Sequence, residues 1–172
     1  MFRRLLLSAP LLMFAGESMA VVEQNKALSD LAVMFFSDHS SPTFGASLLN
    51  SKLLDFSVES LSHVDEYLEK IRKDEQLKKE WNRVVLRCGA YVGEVVRRNA
   101  TNTKWVWIGH DDAVQIAPQL FASAFKSVAT AAVLFDGKSA LGFPLGKVEK
   151  YLENGAEDSV KFFAEVMINQ SK

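Results

Sequence analysis

Glu23 to Phe36 repeats apolar residues at Ala27, Leu28, Leu31, Met34 and Phe35, a spacing that predicts an amphipathic helix. His39 to Asn50, with Ser40-Ser41-Pro42 and Gly45, reads as a loop. Ser57 is the predicted cap of a second helix, with Glu59 in its first turn, where the helix dipole favours an acid. The buried stripe of that helix is Val58, Leu61, Val64, Leu68 and Ile71, while Glu59, Ser62, Glu66, Glu69 and Lys73 face water. The longest helix follows, from about Glu75 to Arg98. Leu77, Trp81, Val84, Cys88, Tyr91 and Val95 alternate at spacings of four and three and form one apolar seam, widened by Val85, Val92 and Val96. Gly89 and Gly93 lie one turn apart on a neighbouring stripe. Each costs about 1 kcal/mol relative to alanine inside a helix. The pair therefore predicts the close approach of another backbone or of a ligand, and a tight crossing is the simpler reading. The expected neighbour is the strand around Trp105 or the second helix.

The period changes after Asn99. Lys104-Trp105-Val106-Trp107-Ile108 is short and apolar on both faces, which predicts a buried strand. Gly109-His110-Asp111-Asp112 reads as a turn and Ala113 to Ile116 as a second, returning strand. Pro118 to Thr130 stays open, because its alanines suit a helix and its Phe and Val residues suit a strand. Ala131 to Phe135 and Lys138 to Phe143 flank Asp136-Gly137, a two-residue hairpin signal, and Pro144 stops the second of these strands. Lys147 to Glu153 is a short helix with Asn154-Gly155 as a left-handed cap. Glu157 to Asn169 is the last helix, burying Val160, Phe163, Ala164 and Met167. Helices first and antiparallel strands later predict an α+β fold, with N-terminal helices on a small, mainly antiparallel sheet and one or two C-terminal helices. Residues 21–50 supply the N-terminal helix and loop, and residues 51–172 a single α+β domain.

Upstream of these elements the pattern is of another kind. Arg3 and Arg4 are followed by the apolar run Leu5 to Ala15, broken by Pro10, and then by Glu17-Ser18-Met19-Ala20. That is the layout of a secretory signal peptide, residues 1–20, cleaved after Ala20. The competing readings are a membrane anchor and a buried N-terminal helix. A span needs about twenty apolar residues, and this run is roughly half that. No cysteine follows the cleavage site, which argues against a lipid anchor. The short signal reads as bacterial and places the mature chain in the periplasm or outside the cell, without a stable membrane anchor.

Composition narrows the partners. The 172 residues are 48% hydrophobic and 24% charged, with a net charge of -1, so no global field draws the chain to nucleic acid. A single cysteine excludes an intramolecular disulfide framework and a Cys-rich zinc site.

Three stretches occur together. They are Leu54-Asp55-Phe56-Ser57-Val58-Glu59-Ser60-Leu61 running into Val64-Asp65-Glu66-Tyr67-Leu68; Gly89-Ala90-Tyr91-Val92-Gly93-Glu94 to Asn99, followed by Trp105; and Pro144, Val148 and Leu152-Glu153-Asn154-Gly155-Ala156-Glu157-Asp158-Ser159-Val160. The set resembles an uncharacterised bacterial family of small exported or soluble domains of unknown function, over about Ser51 to Val166. The resemblance implies an α+β domain and brings no catalytic residues with it.

Candidate chemistry is sparse. His39 lies in a loop, His63 on the wet face of the second helix beside Glu59 and Glu66, and His110 in the expected turn. His110, Asp111 and Asp112 form the densest titratable cluster and could bind a cation or share a proton. Turn chemistry alone also accounts for them. Glu94 has Arg87, Arg97 and Arg98 at i−7, i+3 and i+4; facing the core, it would be a buried carboxylate needing an arginine. Cys88 reads as a buried, inert thiol. No Gly-x-Ser-x-Gly elbow and no phosphate-cradling glycine loop occur. Trp105 and Trp107 share one face of their strand, where core packing explains them more simply than ligand stacking. No cofactor or metal is expected. The leading expectation is an exported, non-catalytic domain that binds another protein, in the manner of an immunity protein, an inhibitor or an assembly factor. The alternative is a small hydrolase or ligand-binding protein with a cleft near Glu94 and His110.

Overall fold

The computed structural model describes residues 19–122 and 126–169. The basic start, apolar run and Ser18 of the expected signal lie outside these residues, as do residues 123–125 of the stretch left open. Among the described residues the architecture is α+β, 66% helical, with seven α-helices and one three-stranded antiparallel sheet.

The hub is α3 (Leu77–Asn99), whose apolar seam is buried as its spacing requires. Trp81 is the exception: it is half-buried, and its indole N–H reaches Glu149 at 3.4 Å. Along α3 runs α1 (Met19–Ser37), which buries Leu28, Ala32 and Phe35 in the same core as the rest of the chain. Segment 21–50 thus contributes a layer to the hydrophobic core built around α3. Its Asn25 donates to Val21 O at 2.7 Å and accepts the Trp107 backbone N–H at 2.9 Å.

Where α1 ends, Asp38 organises the turn. Its Oδ1 accepts the backbone N–H groups of Ser40 and Ser41 and the Ser40 hydroxyl, and its Oδ2 accepts Arg87 at 2.8 Å. Buried Arg87 also donates to Ser41 O and Thr43 Oγ1, so α3 grips the loop from beneath. The Ser41 N–H and the Ser40 hydroxyl, with Arg87 behind them, lower the Asp38 carboxyl to about 2. A depressed carboxyl contributes stability above its unfolded value near 3.9 and loses it as pH falls through its folded value. The gap in denaturant midpoint between wild type and Asp38→Asn is therefore expected to close between pH 4 and pH 2. A gap that stays constant over that window would count against this role for Asp38.

Helix α2 (Leu61–Ile71) begins later than the Ser57 cap implied. Asp55 accepts the Ser57 N–H, and Ser57 Oγ accepts the Ser60 N–H, so these side chains close turns ahead of the helix and Ser60 takes the cap position. Glu59 consequently lies before the first helical turn.

The larger correction follows β1 (Val106–Gly109). Gly109-His110-Asp111-Asp112 is not a turn and Ala113 to Ile116 is not a strand; together residues 110–116 form α4 (His110–Ile116). Gly109 is extended at the cap, and Asp111 and Asp112 sit in the first turn, where acids oppose the exposed N–H groups. Pro118 then opens α5 (Pro118–Phe121) at the first helical position. The returning strand is β2 (Ala132–Phe135), which places Leu134 opposite Trp107 and Val133 opposite Ile108.

β2 pairs with the short β3 (Leu141–Gly142). Their connection is residues 136–140 rather than a two-residue turn, because Asp136 Oδ1 collects the N–H groups of Lys138, Ser139 and Ala140. Pro144 both ends the strand and starts α6 (Pro144–Asn154), three residues earlier than expected. Gly155 has φ 91° and ψ −151°, a positive-φ conformation outside the left-handed helical well, and the Arg72 guanidinium lies over it. Asp65 fastens the start of α7 (Val160–Asn169), accepting the Ser159 hydroxyl at 2.6 Å and the Val160 N–H at 2.9 Å. Burial raises the Asp65 carboxyl above its ordinary value despite these donors.

Candidate functional site

The strand begins two residues later than the Lys104 start expected, and the alternation of β1 with Trp105 just before it divides the candidate residues between two faces of the sheet. Trp105 and Trp107 point into the main core against α3, whereas Ile108 packs with Val133, Ala113 and Phe121 on the other face. Glu94 belongs to the first side and His110 to the second.

Glu94 is 2% exposed on α3. Its Oε1 accepts Arg97 Nη1 at 2.6 Å and the Trp107 indole N–H at 2.9 Å, and its Oε2 faces Arg98 Nε at 3.4 Å. Arg97 also donates to Trp105 O at 3.1 Å. The carboxylate thus ties the last turns of α3 to β1, with one arginine bridging both. Arg87, a turn and more away, is committed to Asp38 instead. The Trp105 indole N–H is the one buried side-chain polar atom among the described residues without a partner, and nothing in the structure explains it.

Arg98 extends the cluster outwards, its guanidinium carbon 3.6 Å from the centroid of the Phe56 ring. Phe56 has φ 64°, a left-handed conformation uncommon for a bulky residue, and is held there from α3. The Tyr91 hydroxyl accepts its N–H, Asn99 donates to its carbonyl, and its ring stacks on Tyr91 at 4.7 Å. Sequence reasoning missed Phe56, because positive φ in a non-glycine residue leaves no local signature.

The glycine stripe is a close-packing surface. A Cβ on Gly89 would stand 2.7 Å from Leu145 Cα, and one on Gly93 would stand 2.1 Å from Trp107 Cζ2. The neighbours are therefore the start of α6 and a tryptophan ring of β1, rather than α2.

His110 is buried on the opposite side of the sheet, with Nδ1 3.1 Å from Thr130 Oγ1 and its ring edge-on to Phe121 at 5.2 Å. Asp111 and Asp112 are exposed, and Asp111 meets Lys126 at 3.3 Å. The sheet itself keeps these residues from joining Glu94 in one cleft. Three surface grooves, beside Phe162, beside Phe44 and beside Tyr151, include neither Glu94 nor His110. Among the described residues, no three His, Cys, Asp or Glu side chains gather closely enough to hold a metal ion. No helix among them is long and apolar enough to cross a membrane. Cys88 is fully buried, and burial pushes its thiol well above the ordinary value. Comparison with family models, with curated proteins and with solved structures found no match to this chain.

Proposed function

We propose that this chain is an exported bacterial domain, periplasmic after cleavage behind Ala20, that binds another protein and carries out no chemistry of its own. The observation that carries the reading is the state of Glu94: both oxygens of the most deeply buried carboxylate candidate face donors of the same domain. The other buried charge, Arg87, is likewise spent on the Asp38 loop.

The surface offers apolar anchors. Phe162 on α7 is 65% exposed, beside a groove formed with Glu165, Val166 and Asn169. Exposed aromatic side chains are the residue type that dominates protein interfaces. The test places a photo-reactive benzoylphenylalanine at position 162 and, as control, at exposed Lys79, in the producing cell. The expected result is a mature protein beginning at Val21 and one discrete heterologous adduct from position 162 alone. An unprocessed chain would contradict export, and equal, diffuse labelling from both positions would contradict a specific partner.

A further inference from the structure

Two hydrophobic clusters of very different size share the sheet. The main core runs through α1, α2, α3, α6 and α7 and fills one face. The other face is closed by a cluster of four buried residues, Ile108, Ala113, Phe121 and Val133, edged by half-buried Val106, Phe135 and Phe143. Two of the four, Ala113 and Phe121, come from α4 and α5, which have seven and four residues. Helices this short do not persist in water without tertiary packing. Apart from alanines, their inward anchors are the Phe121 ring, half-buried Val114 and His110, which is tied to Thr130. Ile116 and Leu120 point outwards, 39% and 57% exposed, and contribute little to docking. The Asp111–Lys126 pair is solvent-exposed on both sides and weak for that reason.

We infer that α4 and α5 form a lid over the back face of the sheet, opening as a unit while the main core stays folded and baring Ile108 and Val133. Local opening follows the smallest set of buried contacts that can be broken together. Here that set is Phe121, Ala113 and Val114 with the His110–Thr130 bond, and breaking it leaves the Glu94 cluster, the glycine stripe and the whole of α3 untouched. The bared surface is apolar and belongs to β1 and β2, which α1 and α6 continue to hold from the far side.

Thiol accessibility reads the opening directly. Val133→Cys in a Cys88→Ala chain places a near-isosteric thiol beneath the lid, and Cys88 in the wild-type chain reports the main core. The Val133→Cys thiol is expected to react with a small thiol reagent at least 100-fold faster than Cys88 under native conditions. Phe121→Ala should speed it at least tenfold more while leaving the Cys88 rate unchanged. Equal rates at the two positions, rising together with denaturant, would overturn the lid. Hydrogen exchange of the wild-type chain supplies a second reading that needs no variant. Amides of residues 114–117 should exchange with little denaturant dependence and at least 100-fold less protection than those of α3, and matching protection and slope would overturn it equally.

Discussion

Gly93→Ala is expected to lower the stability of the domain by roughly 3 kcal/mol, at the upper end of what overpacking a core costs. Helix propensity alone predicts the opposite sign, since alanine is the better helix former by about 1 kcal/mol. Packing wins because the new methyl would lie 2.1 Å and 2.3 Å from two atoms of the Trp107 ring. That ring has nowhere to go: it is fully buried, its indole N–H is bonded to Glu94, and its backbone N–H is bonded to Asn25. On the other side, Pro144 Cγ would stand at 3.2 Å. The measurement is the denaturant midpoint at unchanged m-value. A midpoint at or above that of wild type would mean that the Trp107 ring is not seated on this glycine.

Glu94→Ala is expected to cost about 3 kcal/mol, the low end of the range for breaking a buried ion pair by removing one partner. The low end applies because Arg97 and Arg98 keep side-chain exposures of 22% and 43% and can turn towards water. The Trp107 N–H cannot, and a buried donor without an acceptor costs about 1–3 kcal/mol by itself. Glu94→Gln retains an oxygen for that N–H and should cost only about 1–2 kcal/mol. Thermal or denaturant unfolding of the two variants checks the order. Equal losses in both would show that the charge, and not the indole contact, dominates the site.

The parts of the fold that were legible are those set by periodicity over many residues. The α3 seam from Leu77 to Val95 states which face is buried, and the Gly89/Gly93 spacing states that something must come close. Glu94 with Arg97 and Arg98 was legible for the same reason, since i+3 and i+4 neighbours meet on any helix. The Trp strand is one of the two neighbours the pattern offers for the glycine stripe, and Trp107 takes that place at Gly93. That Leu145 of α6 takes the place at Gly89 was not legible, because it lies 56 positions further along the chain. Residues 109–116 do not declare their structure locally, because Gly-His-Asp-Asp suits a turn and a helix start equally well. The choice between them is made by Ala113 and Phe121 packing on Ile108 and Val133, contacts that no local window contains. The Asp38–Arg87 pair joins residues from a loop and a helix 49 positions apart and has no spacing signature.

The central claim is that the Glu94 cluster holds the fold together and that partner binding occurs elsewhere on the surface. Its most direct test is Glu94→Gln in the chain carrying the photo-reactive residue at position 162, measured below the variant's own unfolding midpoint. The account predicts a lowered midpoint together with an undiminished yield of the position-162 adduct. Loss of the adduct from a folded Glu94→Gln protein would contradict it and return Glu94 to the functional surface.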